Sequence, residues 1–295
     1  MAGNGWRTVI INNHAKLSFS NNNLVVSTDT GQNAVPIVQI KALMLNSTEV
    51  SLTARLICEL NNSNVKVIFC DNKHLPCCET TGYHNNNSSA GMIRSQMSWK
   101  KQKQEEVWTK IVKQKIMSQY DVLCCNHLDN ADVLKAYADN IVPDNSLKSE
   151  AHAARIYFSS LYGYDFNRRT CSEVNAALNY GYSIIMSDVS RCISLHGYLT
   201  ELGIQHDCAS NPFNFSCDIM EPFRPLIDDF VYNNAPEEFD NEYKGRLIKL
   251  CFSQVKYGNR KMDLQTAIDM YVNDIINELS SETECIKELV LHEQV

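Results

Sequence analysis

The chain lacks any long apolar segment. No uninterrupted apolar run in its 295 residues approaches the ~18 residues that a membrane-spanning helix needs. Residues 1–7, M-A-G-N-G-W-R, also lack the apolar centre of a signal peptide. We therefore expect a protein that has no membrane segment and stays in the cytoplasm. With 44% hydrophobic residues the chain can bury a sizeable core, and at roughly 100–200 residues per domain its length predicts two domains.

The chain also lacks the cysteine spacing of a zinc site. It has 12 cysteines but no C-x-x-C pair; Cys77-Cys78 and Cys124-Cys125 are adjacent, and the others are scattered. Thiols in the cytoplasm are usually reduced, so we interpret most of these cysteines as small buried apolar residues. Structural zinc is the alternative.

Several catalytic motifs are missing. The sequence has no G-x-x-x-x-G-K-[ST] phosphate loop, no G-x-G-x-x-G after a strand, no H-E-x-x-H and no G-x-S-x-G. Nucleotide hydrolysis, dinucleotide binding, zinc proteolysis and serine hydrolysis therefore have no local signature here.

Positive charge is in the minority, with a formal net charge of -7. Because proteins contact nucleic-acid phosphates mainly through lysine and arginine, this total taken alone points away from a nucleic-acid binder. Residues 99–115 are an exception, with six lysines and two glutamates. On the helix predicted there, Lys103, Lys110 and Lys113 lie roughly opposite an apolar stripe. We interpret them as a solvated face, with DNA binding as the alternative.

The first part of the chain has the pattern of short strands separated by asparagine-rich turns. The predicted strands are residues 8–11, 16–19, 24–26, 35–38, 42–45 and 65–70. One helix is expected at residues 51–60, where leucines recur every four residues and Ser51 is a suitable N-cap. This pattern predicts a β-rich domain over residues 1–79, covered by one helix.

The polar residues 80–90 predict a linker, and residues 91–280 have helical periodicity. The helices expected there, besides the lysine-bearing one, begin near residue 144 and span residues 173–201, 237–253 and 262–279. Gly203 is placed to end one of them as a left-handed C-cap. Residues 281–295 are charged and predict a mobile tail. The expected fold class is α+β.

Residues 216–225 read S-C-D-I-M-E-P-F-R-P. Asp218 and Glu221 are three residues apart, so a helical turn would bring both carboxylates to one face, with Arg224 one turn further on. The same spacing is that of a capping box, with Asp218 as the N-cap. Pro222 and Pro225 indicate a kinked start, which tends to persist where the local geometry is needed. Capping and metal ligation both remain open on these residues alone.

Two further residues fit a metal site. His206 is expected in a loop just upstream of this segment, and Glu150 in the first turns of a helix that also carries Arg155. Carboxylates with one imidazole suit Mg²⁺ or Mn²⁺. Arg155 and Arg224 could bind the non-bridging oxygens of a phosphodiester, which makes a phosphodiester the expected ligand.

The chain resembles the CRISPR-associated endonuclease and integrase family, the Cas1 proteins, and most closely those of type II systems. The matching motifs occur in the family's order over most of the first ~230 residues. They are G-W-R-T-V-I-I (5–11), V-I-F-C-D-N-K-H-L-P (67–76), E-x-H-A-A-R-I-Y-F (approximately 150–158), N-A-A-L-N-Y-G-Y (175–182), G-I-Q-H (203–206) and D-I-M-E-P-F-R-P.

The resemblance implies an N-terminal β-sandwich-like domain, an all-α catalytic domain and a homodimer assembled with Cas2 and with other type II CRISPR proteins. It implies a metal site formed by Glu150, His206 and Glu221, with Asp218 as an auxiliary acid. It also implies a metal-dependent DNA integrase of spacer acquisition, which joins the 3′-hydroxyl ends of a short prespacer duplex to the CRISPR repeat. A hydrolytic nuclease of branched or flap DNA and a catalytically idle DNA-holding scaffold are the alternatives.

Overall fold

A computed structural model of the chain describes residues 7–71, 76–80, 82 and 89–291. The chain divides into two units, Met1–Asn87 and Ser88–Val295, and the division falls inside the predicted linker 80–90. Most of that linker, the start of the G-W-R motif and the last four residues of the predicted tail lie outside the described residues.

The first unit contains two four-stranded sheets. Its strands are β1 (Arg7–Ile11), β2 (Ala15–Ser20), β3 (Asn23–Thr28), β4 (Gly31–Pro36), β5 (Ile40–Leu45), β6 (Val50–Leu52), β7 (Lys66–Cys70) and β8 (Pro76–Glu79), with helix α1 (Ala54–Asn62) between β6 and β7. One sheet has the order β1-β5-β7-β8, and the other β4-β3-β2-β6. In the first sheet β1, β5 and β7 are parallel and β8 is antiparallel.

One core joins the two sheets of this unit. Leu17 and Leu24 from one sheet, Leu43 from the other and Leu56 from α1 belong to one buried cluster. Alternation of side chains along each strand places these residues on the inner faces. Helix α1 begins at Ala54, because Thr53 is the N-cap and its side chain accepts a hydrogen bond from the Leu56 amide. The predicted N-cap at Ser51 was therefore wrong by two residues.

The second unit is mainly helical. Its helices are α2 (Ser89–Met97), α3 (Lys101–Cys125), α4 (Ala131–Asp139), α5 (Ser146–Tyr162), α6 (Glu173–Leu195), α7 (Asn214–Met220), α8 (Arg224–Asn233), α9 (Asn241–Lys249) and α10 (Leu264–Ser280). A β-rich unit followed by a helical unit confirms the predicted α+β class. None of the helices that the structure describes has the length and apolar character needed to cross a bilayer.

The helical unit also contains a small sheet that the sequence interpretation lacked. Its strands are β9 (Gln254–Tyr257), β10 (Arg260–Asp263) and β11 (Leu289–Val290), in the order β10-β9-β11. Gly258, at a φ of 59°, makes the tight turn between β9 and β10. The sequence interpretation had the second unit as all-α, and this sheet shows that it is not.

The segment after α10 also differs from the mobile tail expected from its charge. Glu278 accepts hydrogen bonds from the backbone amides of Cys285 and Ile286, at 2.9 and 3.0 Å. Gln114 on α3 exchanges two hydrogen bonds with the backbone of Leu289, at 2.7 and 3.0 Å. These contacts hold residues 281–291 against the helices, because the backbone groups of the segment find partners there.

Candidate active site

Helices α3 and α5 bring a lysine and a glutamate together. Lys115 lies in the second half of α3, and its Nζ donates to Glu150 Oε1 at 2.6 Å. Glu150 lies in the second turn of α5, which begins at Ser146 as the sequence predicted. The same ammonium lies 2.6 Å from Glu221 Oε2. One lysine therefore bridges two carboxylates that are 71 residues apart in the sequence.

Glu221 sits where the chain passes from α7 into α8. Residues Glu221–Phe223 form a short 3₁₀ turn, and the Arg224 amide donates to the Glu221 carbonyl. Pro225 cannot donate, so the tighter turn satisfies the carbonyl that a regular α-helix would leave open. From this turn, which contains Pro222 and precedes Pro225, Glu221 Oε2 reaches the Lys115 ammonium.

Arg224 supports Glu221 from the other side. Its Nε donates to Glu221 Oε1 at 2.9 Å, and its guanidinium lies over the Tyr182 ring at 4.6 Å from the centroid. The Tyr182 hydroxyl donates to the buried carboxylate of Asp228. Burial raises the pKa of Asp228 to about 6, despite the opposing hydrogen bond from Tyr182. This chain of contacts restricts the orientation of Arg224 and, through it, of Glu221.

His206 is held in its loop by Asp218. The Asp218 carboxylate accepts the backbone amides of Ile204, Gln205 and His206, at 2.6, 3.1 and 3.0 Å, and contacts His206 Nδ1 at 2.6 Å. Asp218 lies inside α7 and so is not the N-cap of a capping box. It orients the imidazole, whose Nε2 is the nitrogen left for a ligand.

Gly203 allows the loop to come this close. A Cβ atom at Gly203 would lie 2.2 Å from the His206 carbonyl oxygen and 2.8 Å from Asp218 Oδ2. The sequence interpretation of Gly203 as a helix C-cap was wrong, because α6 already ends at Leu195 and Gly197 has the positive φ that follows it. Close packing of backbone and carboxylate requires glycine here.

The charges of the site influence one another. The hydrogen bond with Asp218 raises the pKa of His206, and the negative charges of Glu221 and Glu150 act in the same direction. Burial alone would raise the pKa of Glu221, but Lys115 and Arg224 outweigh it and lower the pKa to about 2. Glu221 is therefore ionised across the physiological range.

The donor chemistry fits a hard divalent cation. Glu221 Oε2 is buried and lacks a hydrogen bond of regular geometry among the described residues, although the Lys115 ammonium contacts it. Two carboxylates and the free nitrogen of His206 are ligands that Mg²⁺ or Mn²⁺ accepts. In the described part of the chain, no three acidic, histidine or cysteine side chains already lie close enough to hold one ion. The cation that both carboxylates share in this structure is the Lys115 ammonium.

The structure does not bring all the predicted site residues together. Arg155 is exposed and lines a separate pocket with Asn130 and Tyr164. It follows Glu150 by five residues on α5, so the two side chains point to different faces of the helix. The sequence predicted that Arg155 binds a phosphodiester beside Glu150. In the structure Arg155 lies away from Glu150, so it is not placed for that contact.

The three candidate DNA-binding lysines differ from one another. Lys110 contacts Glu278 at 2.8 Å and Glu284 at 2.9 Å, and Lys103 lies 3.9 Å from Glu278. Lys113 is exposed, and no acidic group within 4.0 Å pairs with it among the described residues. Lys103 and Lys110 are therefore largely neutralised, whereas Lys113 keeps its charge available.

Sequence reasoning missed the role of Lys115, although the sequence contained a signal. Lys115 follows Trp108 by seven residues and precedes Gln119 by four, which places it on the buried face of α3. A lysine on a buried helix face needs acidic partners. Trp108 was also missed; its ring meets the His206 imidazole edge-on at 6.1 Å and so helps to position it.

The fold and the site define a two-unit α+β protein whose helical unit carries two carboxylates bridged by a lysine, and a histidine on which both carboxylates act electrostatically. The family model for CRISPR associated protein Cas1 matches residues 8–238. The chain belongs to the Cas1 family, which confirms the resemblance seen in its motifs.

Similar proteins agree with this assignment. The CRISPR-associated endonuclease Cas1 of Neisseria meningitidis serogroup C (strain 8013) is 30% identical over 274 residues, covering 91% of this chain and 90% of the relative. A casposase bound to integration product has a TM-score of 0.78 at 18% identity, covering 98% of this chain and 96% of the casposase. A chain of a Cas6-RT-Cas1–Cas2 complex has a TM-score of 0.72 at 16% identity, covering 98% of this chain and 37% of the other. The two structures share the fold with this chain.

Proposed function

We propose that this protein is a cytoplasmic, metal-dependent DNA integrase of CRISPR spacer acquisition. The observation that carries the proposal is the pair Glu150 and Glu221, which meet at Lys115 and act electrostatically on an Asp218-oriented His206, in a chain of the Cas1 family. In the proposed reaction the 3′-hydroxyl of a short duplex attacks a phosphodiester at the edge of the CRISPR repeat. The new phosphodiester replaces the one that breaks, and the repeat strand leaves with a 3′-hydroxyl.

The residues of the site have distinct roles in this proposal. Glu150, Glu221 and His206 would hold one Mg²⁺ or Mn²⁺, and Asp218 contacts His206 Nδ1 and so leaves Nε2 for the ion. A bound divalent ion would polarise the scissile phosphate and neutralise the charge that develops on it. Arg224 holds Glu221 through Nε, so we assign it to ligand support.

The test is joining of labelled prespacer duplex into a plasmid that carries the repeat, with purified Cas2 present. We expect Glu150→Ala, His206→Ala and Glu221→Ala each to reduce joining at least about a hundredfold. Loss of a residue that only supports a metal ligand costs up to about a hundredfold, and loss of a ligand itself should cost at least as much. Glu105→Ala, an exposed glutamate on α3, is the matched control and should join normally. Unchanged joining by the three site variants would contradict the catalytic assignment.

The dependence on metal has its own test. Mg²⁺ or Mn²⁺ should support joining, and excess EDTA should stop it; joining that persists in EDTA would refute the metal requirement. Analysis of the products separates transfer from hydrolysis, because transfer yields a branched DNA joined to the labelled duplex and hydrolysis yields only a nick.

The proposed partners are DNA, Cas2 and a second copy of the chain. The complex of a Cas6-RT-Cas1 protein with Cas2 has the same fold in its Cas1 portion, which supports a Cas2 partner here. We expect light scattering at micromolar concentration to give twice the chain mass of 33.5 kDa. A strictly monomeric mass would count against the homodimer.

A further inference from the structure

Lys115 occupies the point at which the two glutamates converge. Its Nζ lies 2.6 Å from Glu150 Oε1 and 2.6 Å from Glu221 Oε2, and its side chain is only 11% exposed. A largely buried lysine that contacts two carboxylates at this distance is a fixed part of the site. The family match and the proposed reaction assign it no role.

The charges of the four groups in direct contact at this point are balanced without a metal. Glu150 and Glu221 supply two negative charges, and Lys115 and Arg224 supply two positive charges in direct contact with them. A divalent ion added among these four groups would leave them with two excess positive charges in a poorly solvated place. Coulomb repulsion in such an environment is several times stronger than in water.

Distance leads to the same conclusion. Mg²⁺ binds carboxylate oxygens at about 2.1 Å, so an ion bound to these two oxygens would lie within about 4 Å of the Lys115 nitrogen. The ion and the ammonium would repel each other strongly at that separation. Simultaneous occupation of this point is therefore disfavoured.

We infer that the Lys115 ammonium and the divalent ion are alternative occupants of the Glu150–Glu221 pair. Lys115 is then a positioning residue: it keeps the two carboxylates together in the metal-free protein, and the ion must displace it to bind. This inference rests on the proposed metal-dependent function. The lysine would make metal binding weaker than the ligands alone would allow.

The experiment measures Mn²⁺ binding by titration calorimetry in wild type, Lys115→Met and Lys115→Gln. We expect the uncharged variants to bind Mn²⁺ about tenfold more tightly, since a competing charge has been removed. Both should be less stable without metal, and Mn²⁺ should raise their melting temperature more than that of wild type. Lys115→Gln keeps a hydrogen-bond donor, so it can be used for the Mn²⁺ titration if Lys115→Met does not fold.

Lys110→Met is the matched control. Lys110 lies on the same helix and also contacts two carboxylates, those of Glu278 and Glu284, at 2.8 and 2.9 Å. This variant should lose stability and keep the wild-type affinity for Mn²⁺. The comparison separates competition for the metal from a general effect of removing a bridging lysine from α3.

The outcomes distinguish this inference from the proposed function. Tighter Mn²⁺ binding by the Lys115 variants, or binding seen only in them, supports competition. Equal or weaker binding in the Lys115 variants, with normal binding by wild type, overturns the inference and leaves the metal-dependent function standing. Absence of Mn²⁺ binding in every variant and in wild type overturns both.

Discussion

Asp218 determines the position of His206 more directly than any other residue of the site. Its two oxygens accept three consecutive backbone amides and contact the His206 ring, and its side chain is fully buried. Every lone pair that faces the loop therefore has a donor. A buried carboxylate with this many donors cannot be replaced by a group that itself donates without leaving unmatched hydrogen bonds.

We predict that Asp218→Asn lowers the free energy of unfolding by about 1–3 kcal/mol, because its amide group would face backbone N–H donors. The same change should strongly reduce DNA joining, since His206 would lose the contact that orients its ring. Urea denaturation and the joining assay measure the two effects. Asp207→Asn changes the exposed neighbouring carboxylate and should alter neither. Wild-type behaviour of Asp218→Asn would contradict the role given to Asp218.

Gly203 provides a second residue-scale prediction. Gly203→Ala should destabilise the protein by about 1–3 kcal/mol, as overpacking does, and displace the loop that carries His206. The clash is with a backbone carbonyl at 2.2 Å and cannot be relieved by a side-chain rotation. Gly245→Ala is the control, because Gly245 lies in α9 with no atom within 4 Å of the added Cβ. It should stabilise the helix slightly, as alanine does relative to glycine. Equal effects of the two changes in thermal denaturation would refute the packing argument.

At the scale of elements, Glu278 on α10 connects α3 to the C-terminal segment. Burial alone would raise the pKa of Glu278, but Lys110 and the backbone amides of Cys285 and Ile286 outweigh burial and lower the pKa. A lowered folded-state pKa contributes stability that is present above the ordinary value of 4.5 and is lost as the pH falls through the folded value. The connection between these elements should therefore weaken in acid.

We predict that Glu278→Gln costs about 1–3 kcal/mol of unfolding free energy at pH 7, because the hydrogen bonds to a charged group are lost. The difference between wild type and variant should shrink as the pH falls below 4.5, because Glu278 takes up a proton in the unfolded chain at a higher pH than in the folded protein. Urea denaturation at several pH values measures this. Glu282→Gln, at a carboxylate that is 90% exposed, should match wild type throughout. A difference that is constant with pH would contradict the assignment.

The sequence predicted the elements better than their contacts. The start of α5 and the presence of His206 in a loop followed from local signals, namely capping residues and the end of helical periodicity. The Lys115 bridge did not, because it depends on α3, α5 and the turn at Glu221 meeting in space. Strands β9–β11 were also missed, because β11 is only two residues long and pairs with β9 from about 30 residues away.

At the scale of the whole molecule, the formal net charge of -7 has to be reconciled with a DNA substrate. The structure divides the lysines of α3 into two kinds. Lys103 and Lys110 are placed beside Glu278, and Lys115 beside Glu150 and Glu221. These three lysines therefore form ion pairs with carboxylates of the protein itself. Among the three candidate DNA-binding lysines, Lys113 alone is both exposed and without a close acidic partner within the described ranges, so it is the one suited to phosphate.

We predict that Lys113→Ala weakens binding of duplex DNA and lowers the slope of log affinity against log salt by about 1, the value for one lost phosphate contact. Its stability should stay near wild type, because the side chain is exposed. Lys103→Ala should do the opposite, losing some stability through Glu278 with little change in the salt slope. Fluorescence anisotropy at several salt concentrations measures the slope for both variants. The prediction is contradicted if Lys103→Ala lowers the slope and Lys113→Ala does not. In that case the DNA does not approach the exposed face of α3 at Lys113. The lysines beside Glu278 must then exchange their acidic partners for phosphate.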